Sequence, residues 1–434
     1  MRLSVSVLAL LALLSWSLPA AATDTRVQSM GGGSLYHSLV DEASMLLYPS
    51  TIPLFGDSAW LEGGTQWPGT DPNAATNGVV PYQAGGSTVI DLTGQDFVGF
   101  SGGSWARHVG ATTLELAFKR WPELSAASLK LTDDDQAALF TGDTAINNAA
   151  NWGSLFYARK QGPARFGAVV TIWNDTTEHS TAGKADRRLG GTLVDGRLGA
   201  GYDFGGDNSF DAALGVQIGT YKDDTLNPDG KLGTRLMADT SWGVNLDARG
   251  RFKAFKGNHL VPWFQMDFGG EGVAWNTTDA DAPAYRASSF GAAAGLDLVI
   301  QPLERFFIIP GLGLEYEMLK IDGEGTAGAS GVVDYSALAL PSFGLGVEAP
   351  LSDWFVLRFG ARRSVVFTSL EESGVKTTTL TSENTIKTGF GLRFKSVTMD
   401  FLLDPTFWSN GPYALSGKPM ANDAFASFAL KATW

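Results

Sequence analysis

The 434-residue chain contains no cysteine. This excludes disulfide staples, thiol nucleophiles and cysteine-ligated metal. Basic residues are in short supply, with 32 Lys and Arg against 45 Asp and Glu and a formal net charge of −13. A nucleic-acid partner needs a basic patch to meet its phosphates, so that class is excluded. Histidine is scarce, at His37, His108, His179 and His259. None of them stands in an H-E-x-x-H spacing, and neither G-x-S-x-G nor a P-loop occurs. Asp133-Asp134-Asp135 lacks the spaced ligands and the glycine of a calcium loop. A non-catalytic chain without metal or cofactor is therefore expected.

Long apolar runs are also missing beyond the N-terminus. Met1-Arg2, the run from Leu3 to Pro19 and Ala20-Ala21-Ala22 have the form of a secretory signal peptide, expected to span 1–22 with cleavage before Thr23. No later stretch reaches the ~18 apolar residues of a spanning helix. An exported chain of this kind is either a soluble β-protein or a closed membrane barrel, because only helices and barrels satisfy their backbones in lipid.

What is abundant is glycine (53), phenylalanine (26) and tryptophan (13). From Trp152 onward, apolar residues recur with a period of two, the signature of strands with unlike faces. Phe210, Leu214, Val216 and Ile218 alternate with Asp211, Gly215 and Gln217. Leu312, Leu314 and Met318 alternate with Gly313, Glu315 and Glu317. Leu357 and Phe359 alternate with Arg358, Gly360 and Arg362. Connections alternate too. Short turns such as Gln161-Gly162-Pro163 and Gly205–Asn208 are interleaved with long polar stretches such as Asn174–Arg188, Lys222–Thr234 and Glu371–Glu383. That rhythm fits an antiparallel up-and-down transmembrane barrel better than a soluble Greek-key sandwich.

Counting strands back to Ala111–Lys119 gives about 14, within a range of roughly 12 to 16 if Ser87–Leu92 and Phe97–Gly102 form a further hairpin. The expected organisation is a signal peptide at 1–22, a plug-like segment and loop at 23–85, and the barrel at 86–434. Phe210, Phe252, Phe355, Phe394 and Trp434 fall near the short turns, as an interfacial aromatic girdle would. The chain ends in an alternating strand, with Phe428, Leu430 and Trp434 on its apolar row. This resembles the C-terminal signal by which barrel-assembly machinery recognises outer-membrane barrels.

Residues 25–52 carry Met30-Gly31-Gly32-Gly33, Asp41-Glu42-Ala43-Ser44 and Pro49. The stretch resembles the start of the long-chain fatty-acid transporter (FadL-type) superfamily and its relatives, with Tyr48-Pro49-Ser50 where that family has Asn-Pro-Ala. The resemblance implies that this segment plugs or gates the lumen through Met30, Gly31, Gly32, Gly33, Asp41, Glu42 and Pro49. It also implies passive transport of small hydrophobic, fatty-acid-like molecules. Inward glycines, among them Gly215, Gly219, Gly311, Gly313, Gly389 and Gly391, would make room for the segment or relieve sheet curvature.

The lumen-facing acids are Asp211, Asp239, Asp247, Asp267, Glu315 and Glu317. The lumen-facing bases are Arg249, Arg251, Arg358, Arg362, Lys387, Arg393 and Lys395. They set up either a transverse field across a pore or internal ion pairs between wall and segment. The expected protein is thus a monomeric outer-membrane barrel with lipid, the assembly machinery and a hydrophobic small molecule as partners. A water-filled porin and a non-conducting docking platform are the alternatives.

Overall fold

The computed structural model describes residues 24–32, 35–41, 44–65, 82–105, 150–181, 184–226, 232–255, 257–277, 284–303, 305–324, 332–372, 375–403 and 425–434. Three short helices, α1 (Asp24–Ser29), α2 (Leu35–Ser38) and α3 (Ser44–Leu47), lead into a 3-10 turn at Pro49–Leu54. Sixteen strands follow. They begin with β1 (Ser58–Thr65), β2 (Tyr82–Asp91), β3 (Asp96–Trp105) and β4 (Ala150–Gln161). Long strands come next: β5 (Ala164–Thr181), β6 (Lys184–Gly205), β7 (Asn208–Leu226), β8 (Leu232–Phe255) and β9 (Asn258–Thr277). The series continues with β10 (Ala284–Leu303), β11 (Phe306–Glu324), β12 (Val332–Pro350), β13 (Phe355–Glu372) and β14 (Val375–Phe394). The last two strands are β15 (Val397–Leu403) and β16 (Phe425–Thr433).

Each strand pairs antiparallel with its neighbours in sequence, and β1 closes the ring on β16 with Leu61 opposite Leu430. The count is therefore 16 rather than about 14. The expected hairpin at Ser87–Gly102 is present as β2–β3, and one further strand lies before it. That strand, β1, was hidden because Ser58–Thr65 is short and flows into a Gly- and Pro-rich stretch. The barrel wall accordingly starts at Ser58, not at residue 86. Ala111–Lys119, the signal-peptide stretch 1–22 and the long connection at 120–149 lie outside the described residues.

Several stretches expected as long loops are strand. β5 runs to Thr181 and β6 restarts at Lys184, while β13 and β14 leave only residues 373–374 between them. Their threonines suit a pleated backbone, and polarity on both faces is tolerated once a strand has left the lipid. Spanning takes ~9–11 residues. β5 to β14, at 18 to 24 residues each, continue well beyond the membrane.

The alternation places apolar side chains outside. Leu214, Val216 and Ile218 are about half exposed, as are Leu312, Phe343, Leu357 and Phe428, while Asp211, Asp247 and Arg358 on the opposite faces are buried. Near the short turns, Tyr202, Phe204, Phe210, Phe252, Phe255, Trp354, Phe394 and Trp434 are exposed, whereas Phe355 is half-buried. An exterior of this kind is unfavourable in water at ~25 cal/mol per Å². Against hydrocarbon that cost vanishes. No described helix is long and apolar enough to cross a membrane, which says nothing of strands.

Candidate functional site in the barrel lumen

Residues 24–54 lie against the inward face of the wall on two sides. The 3-10 turn contacts β4 to β7, and α1 contacts β13 to β16. Two apolar clusters hold them. Met45 and Ile52 pack with Trp60, Val89, Phe97, Phe156 and Val169 of the wall. Val27, Met30, Leu35 and Leu39 pack with Val261, Val299 and Ile309.

Backbone meets backbone where the wall has glycine. A Cβ on Gly360 would overlap the Met30 carbonyl carbon and the Gly31 nitrogen, and one on Gly167 would overlap the Pro49 carbonyl. Gly31 and Gly32 take φ of +114° and +64°, values that favour glycine. Of the inward glycines expected to make room, Gly389 lies against Ser29 as well as against the wall carbonyl of Phe401. A Cβ on Gly215 or Gly219 would instead meet neighbouring wall groups, Asn245 or Leu193. We expect Gly360→Ala to lift Met30 and Gly31 off the wall and give measurable conductance in planar bilayers. Gly153→Ala, whose added Cβ would meet only Ser101 O at 3.8 Å, should leave the channel unchanged. Equal behaviour of the two variants would show that the close approach does not hold the segment.

Ion pairs reinforce the docking. On the β12–β15 side, Glu348 is fully buried and accepts from Arg26 Nε at 2.8 Å, Arg358 Nε at 2.8 Å and Arg393 Nη2 at 2.7 Å. Arg26 Nη1 also lies 2.5 Å from Asp41, and Arg358 Nη2 lies 2.7 Å from Asp400. Three arginines thus face three carboxylates. Arg26 sits outside the strands, and its pKa is raised by Glu348 and Asp41 even though burial opposes its charge.

On the β5–β8 side, Asp211 is flanked by Arg165 at 3.3 Å and Arg249 at 3.2 Å and accepts from Ser50 at 2.7 Å. Arg249 donates to the carbonyls of His37 and Leu39 at 2.9 and 3.0 Å and covers the Tyr48 ring. Arg197 bridges Asp247 at 3.0 Å and the Leu47 carbonyl at 3.1 Å. Elsewhere, Ser38 donates to Asp297, Lys387 to Gln28, and Arg362 to Glu315.

The separation of lumen acids and bases onto different walls that a transverse field would need does not hold. Glu348 and Asp400 sit among the late bases, and Arg165 and Arg197 among the early acids. Internal pairing replaces the transverse field. Glu348 was not among the expected lumen charges, although Phe343, Leu345 and Val347 alternate with Gly344, Gly346 and Glu348 in β12 and place it on the inward row. Asp267 and Glu317 are on the inward rows, each with an interaction of its own. Gly33, Glu42 and the Asp239 side chain lie outside the described residues.

His37 is stacked on Trp263 at 4.6 Å, and its Nδ1 lies 2.7 Å from the Tyr48 hydroxyl. Burial, and then the Arg249 guanidinium, push its pKa down to about 3, against a weaker opposing hydrogen bond with Gln265. The free imidazole titrates near ~6.5. Protonation therefore favours the undocked segment, and docking should weaken as pH falls from about 6.5 towards 3, by up to ~1.4 kcal/mol per unit. Bilayer conductance recorded between pH 7.5 and 5 should rise in the intact protein and lose that rise in His37→Gln. An identical pH response in the variant would remove His37 as the cause.

The fold and this geometry define a membrane-spanning β-barrel whose lumen holds its own N-terminal segment. No protein-family model matches the chain, and no curated protein matches it. Among solved structures, the toluene transporter TodX of Pseudomonas putida is similar at 10% identity, with 95% of this chain and 96% of that chain covered and a TM-score of 0.38. CdiB of Escherichia coli is similar at 14% identity, over 87% of this chain and 62% of that one, with a TM-score of 0.40. The ferric yersiniabactin uptake receptor FyuA of Yersinia pestis is similar at 9% identity, over 80% and 68%, with a TM-score of 0.38. Likenesses this remote assign neither family nor substrate.

Proposed function

We propose that the chain is an outer-membrane barrel that passes small hydrophobic molecules passively through its lumen, with residues 24–54 as the plug. The observation that carries this reading is the apolar character of the inner wall beside the plug. Phe97, Phe156 and Val169 face it on one side, and Val261, Val299 and Ile309 on the other. A porin lumen is lined by polar groups and filled with water. Here these side chains are covered by the plug, and its displacement would open an apolar surface to a hydrophobic solute.

The closing strand carries Phe428, and Trp434 follows its last residue, both exposed. It is the element through which the assembly machinery would receive the chain, and the closed ring would work as a monomer. Planar-bilayer recording of the intact protein tests the reading. A silent or barely conducting barrel is expected, and large steady steps would replace it with a porin.

A further inference from the structure

The outward row of β13 is apolar from Leu357 to Phe367 except at Arg363. On that face Arg363 has Ala361 and Val365 along its own strand, Phe343 opposite on β12 and Asn384 opposite on β14. Arg363 and Asn384 are both exposed, and among the described residues neither side chain has a hydrogen-bond or ion-pair partner. The inward arginines of the same strand differ, since Arg358 and Arg362 are each held by a carboxylate. An uncompensated charge on a lipid-facing wall is costly at mid-depth and tolerated near the interface. Arg363 stands eight residues beyond Phe355 of the inner girdle. At ~3.3 Å per residue and a tilt of ~40°, that places it about 20 Å out, towards the far edge of an apolar band ~25 Å tall. Phe367 and Leu380, paired across β13 and β14, stand about 10 Å further out, at the level of an outer girdle.

We propose that Arg363, together with Asn384, binds the phosphate of an anionic lipid in the outer leaflet, whose acyl chains run down over Phe343, Leu345, Leu357 and Ile386, all exposed. The inference rests on the outer-membrane reading above and not on what the lumen carries. A guanidinium presents two parallel N–H groups to two phosphate oxygens, and the Asn384 amide can donate to a third. The long arginine stem lies on the apolar wall while its head reaches the headgroup level. At that boundary the local dielectric is below that of water, which strengthens the pair. A zwitterionic lipid carries the same phosphate, but its own ammonium already neutralises it, so the net attraction favours the anionic lipid. The chain as a whole, at a net charge of −13, exerts no general pull on such a lipid, and the preference is therefore local to this arginine.

The test uses the full chain in nanodiscs of phosphatidylcholine and phosphatidylglycerol in equal amounts, with matched acyl chains. Native mass spectrometry counts the lipids that stay on the protein when the disc is removed. The intact protein is expected to retain phosphatidylglycerol ~10-fold over phosphatidylcholine, the discrimination that one charge-assisted contact supplies. Arg363→Gln should return the ratio to that of the mixture, and Arg363→Lys should keep part of the preference. Lys320→Gln, which removes an exposed lysine 3.5 Å from Asp322, should leave it unchanged. A second readout is the urea midpoint of Arg363→Leu, expected to rise in pure phosphatidylcholine, where the charge is unpaired, and to fall in pure phosphatidylglycerol. Equal retention of the two lipids by the intact protein, or an unchanged preference in Arg363→Gln, overturns the lipid site and leaves the barrel and transport readings standing. A midpoint that moves the same way in both lipids overturns it too. A chain that stays in water and does not enter the discs overturns the outer-membrane reading and this site with it.

Discussion

Deleting residues 24–54 is expected to turn a silent barrel into a conducting one. A ring of sixteen strands encloses more space than its own side chains fill, since barrels of ~16 strands leave an aqueous channel. In this chain the space beside β4–β7 and β13–β16 is taken by the N-terminal segment. The wall should survive the deletion. Its buried charges keep wall partners, with Arg358 on Glu348 and Asp400, Arg249 and Arg165 on Asp211, and Arg197 on Asp247. The exposed inner rows would then be hydrated by the incoming water. Single-channel recording before and after deletion reads the result, with heat-modifiable gel mobility reporting that the barrel has folded. A deletion protein that folds and stays silent would show that something other than this segment closes the lumen, and would move the reading to a sealed docking barrel.

The second large effect is expected at Glu348. One fully buried carboxylate holds Arg26, Arg358 and Arg393. Replacing it with glutamine keeps the volume and removes the charge that three guanidiniums share. Breaking a buried pair from one side costs ~3–5 kcal/mol, because the surviving charge is left uncompensated. Arg26 is also the ionic tie of α1 to β12, so the barrel should lose stability and plug docking together. Urea titration of the refolded protein and bilayer conductance should therefore change in step. Adding Arg393→Gln, which removes a partly exposed arginine, should restore part of the stability, a coupling that a double-mutant cycle measures. A Glu348→Gln protein with unchanged urea midpoint would mean that Asp400 and Asp41 suffice to neutralise the cluster.

The exterior of this protein was legible in the linear chain. Period-two rows such as Phe210–Ile218 and Leu312–Met318 state which face meets lipid, because side chains alternate strictly along a strand. Even the girdle could be read, from aromatics that recur near short turns. The interior was legible only as a list. Asp211, Asp247, Arg358 and Arg393 were recognisable as inward-facing, but not their partners, since Arg26 lies 322 residues from Glu348 in sequence.

The sequence by itself determined an antiparallel, even-stranded, lipid-facing barrel, for that follows from local alternation and turn spacing. Closure decided the rest. Only when β1 meets β16 do the wall glycines Gly167 and Gly360 lie against Pro49 and Met30. Neighbouring strands alone put Glu348 of β12 opposite Arg358 of β13, but only the path of α1 through the lumen adds Arg26 to that carboxylate. Those contacts depend on register around a ring and on the path of a segment with no periodicity of its own. Pairing across a lumen is a property of three-dimensional placement, which no window of local sequence contains.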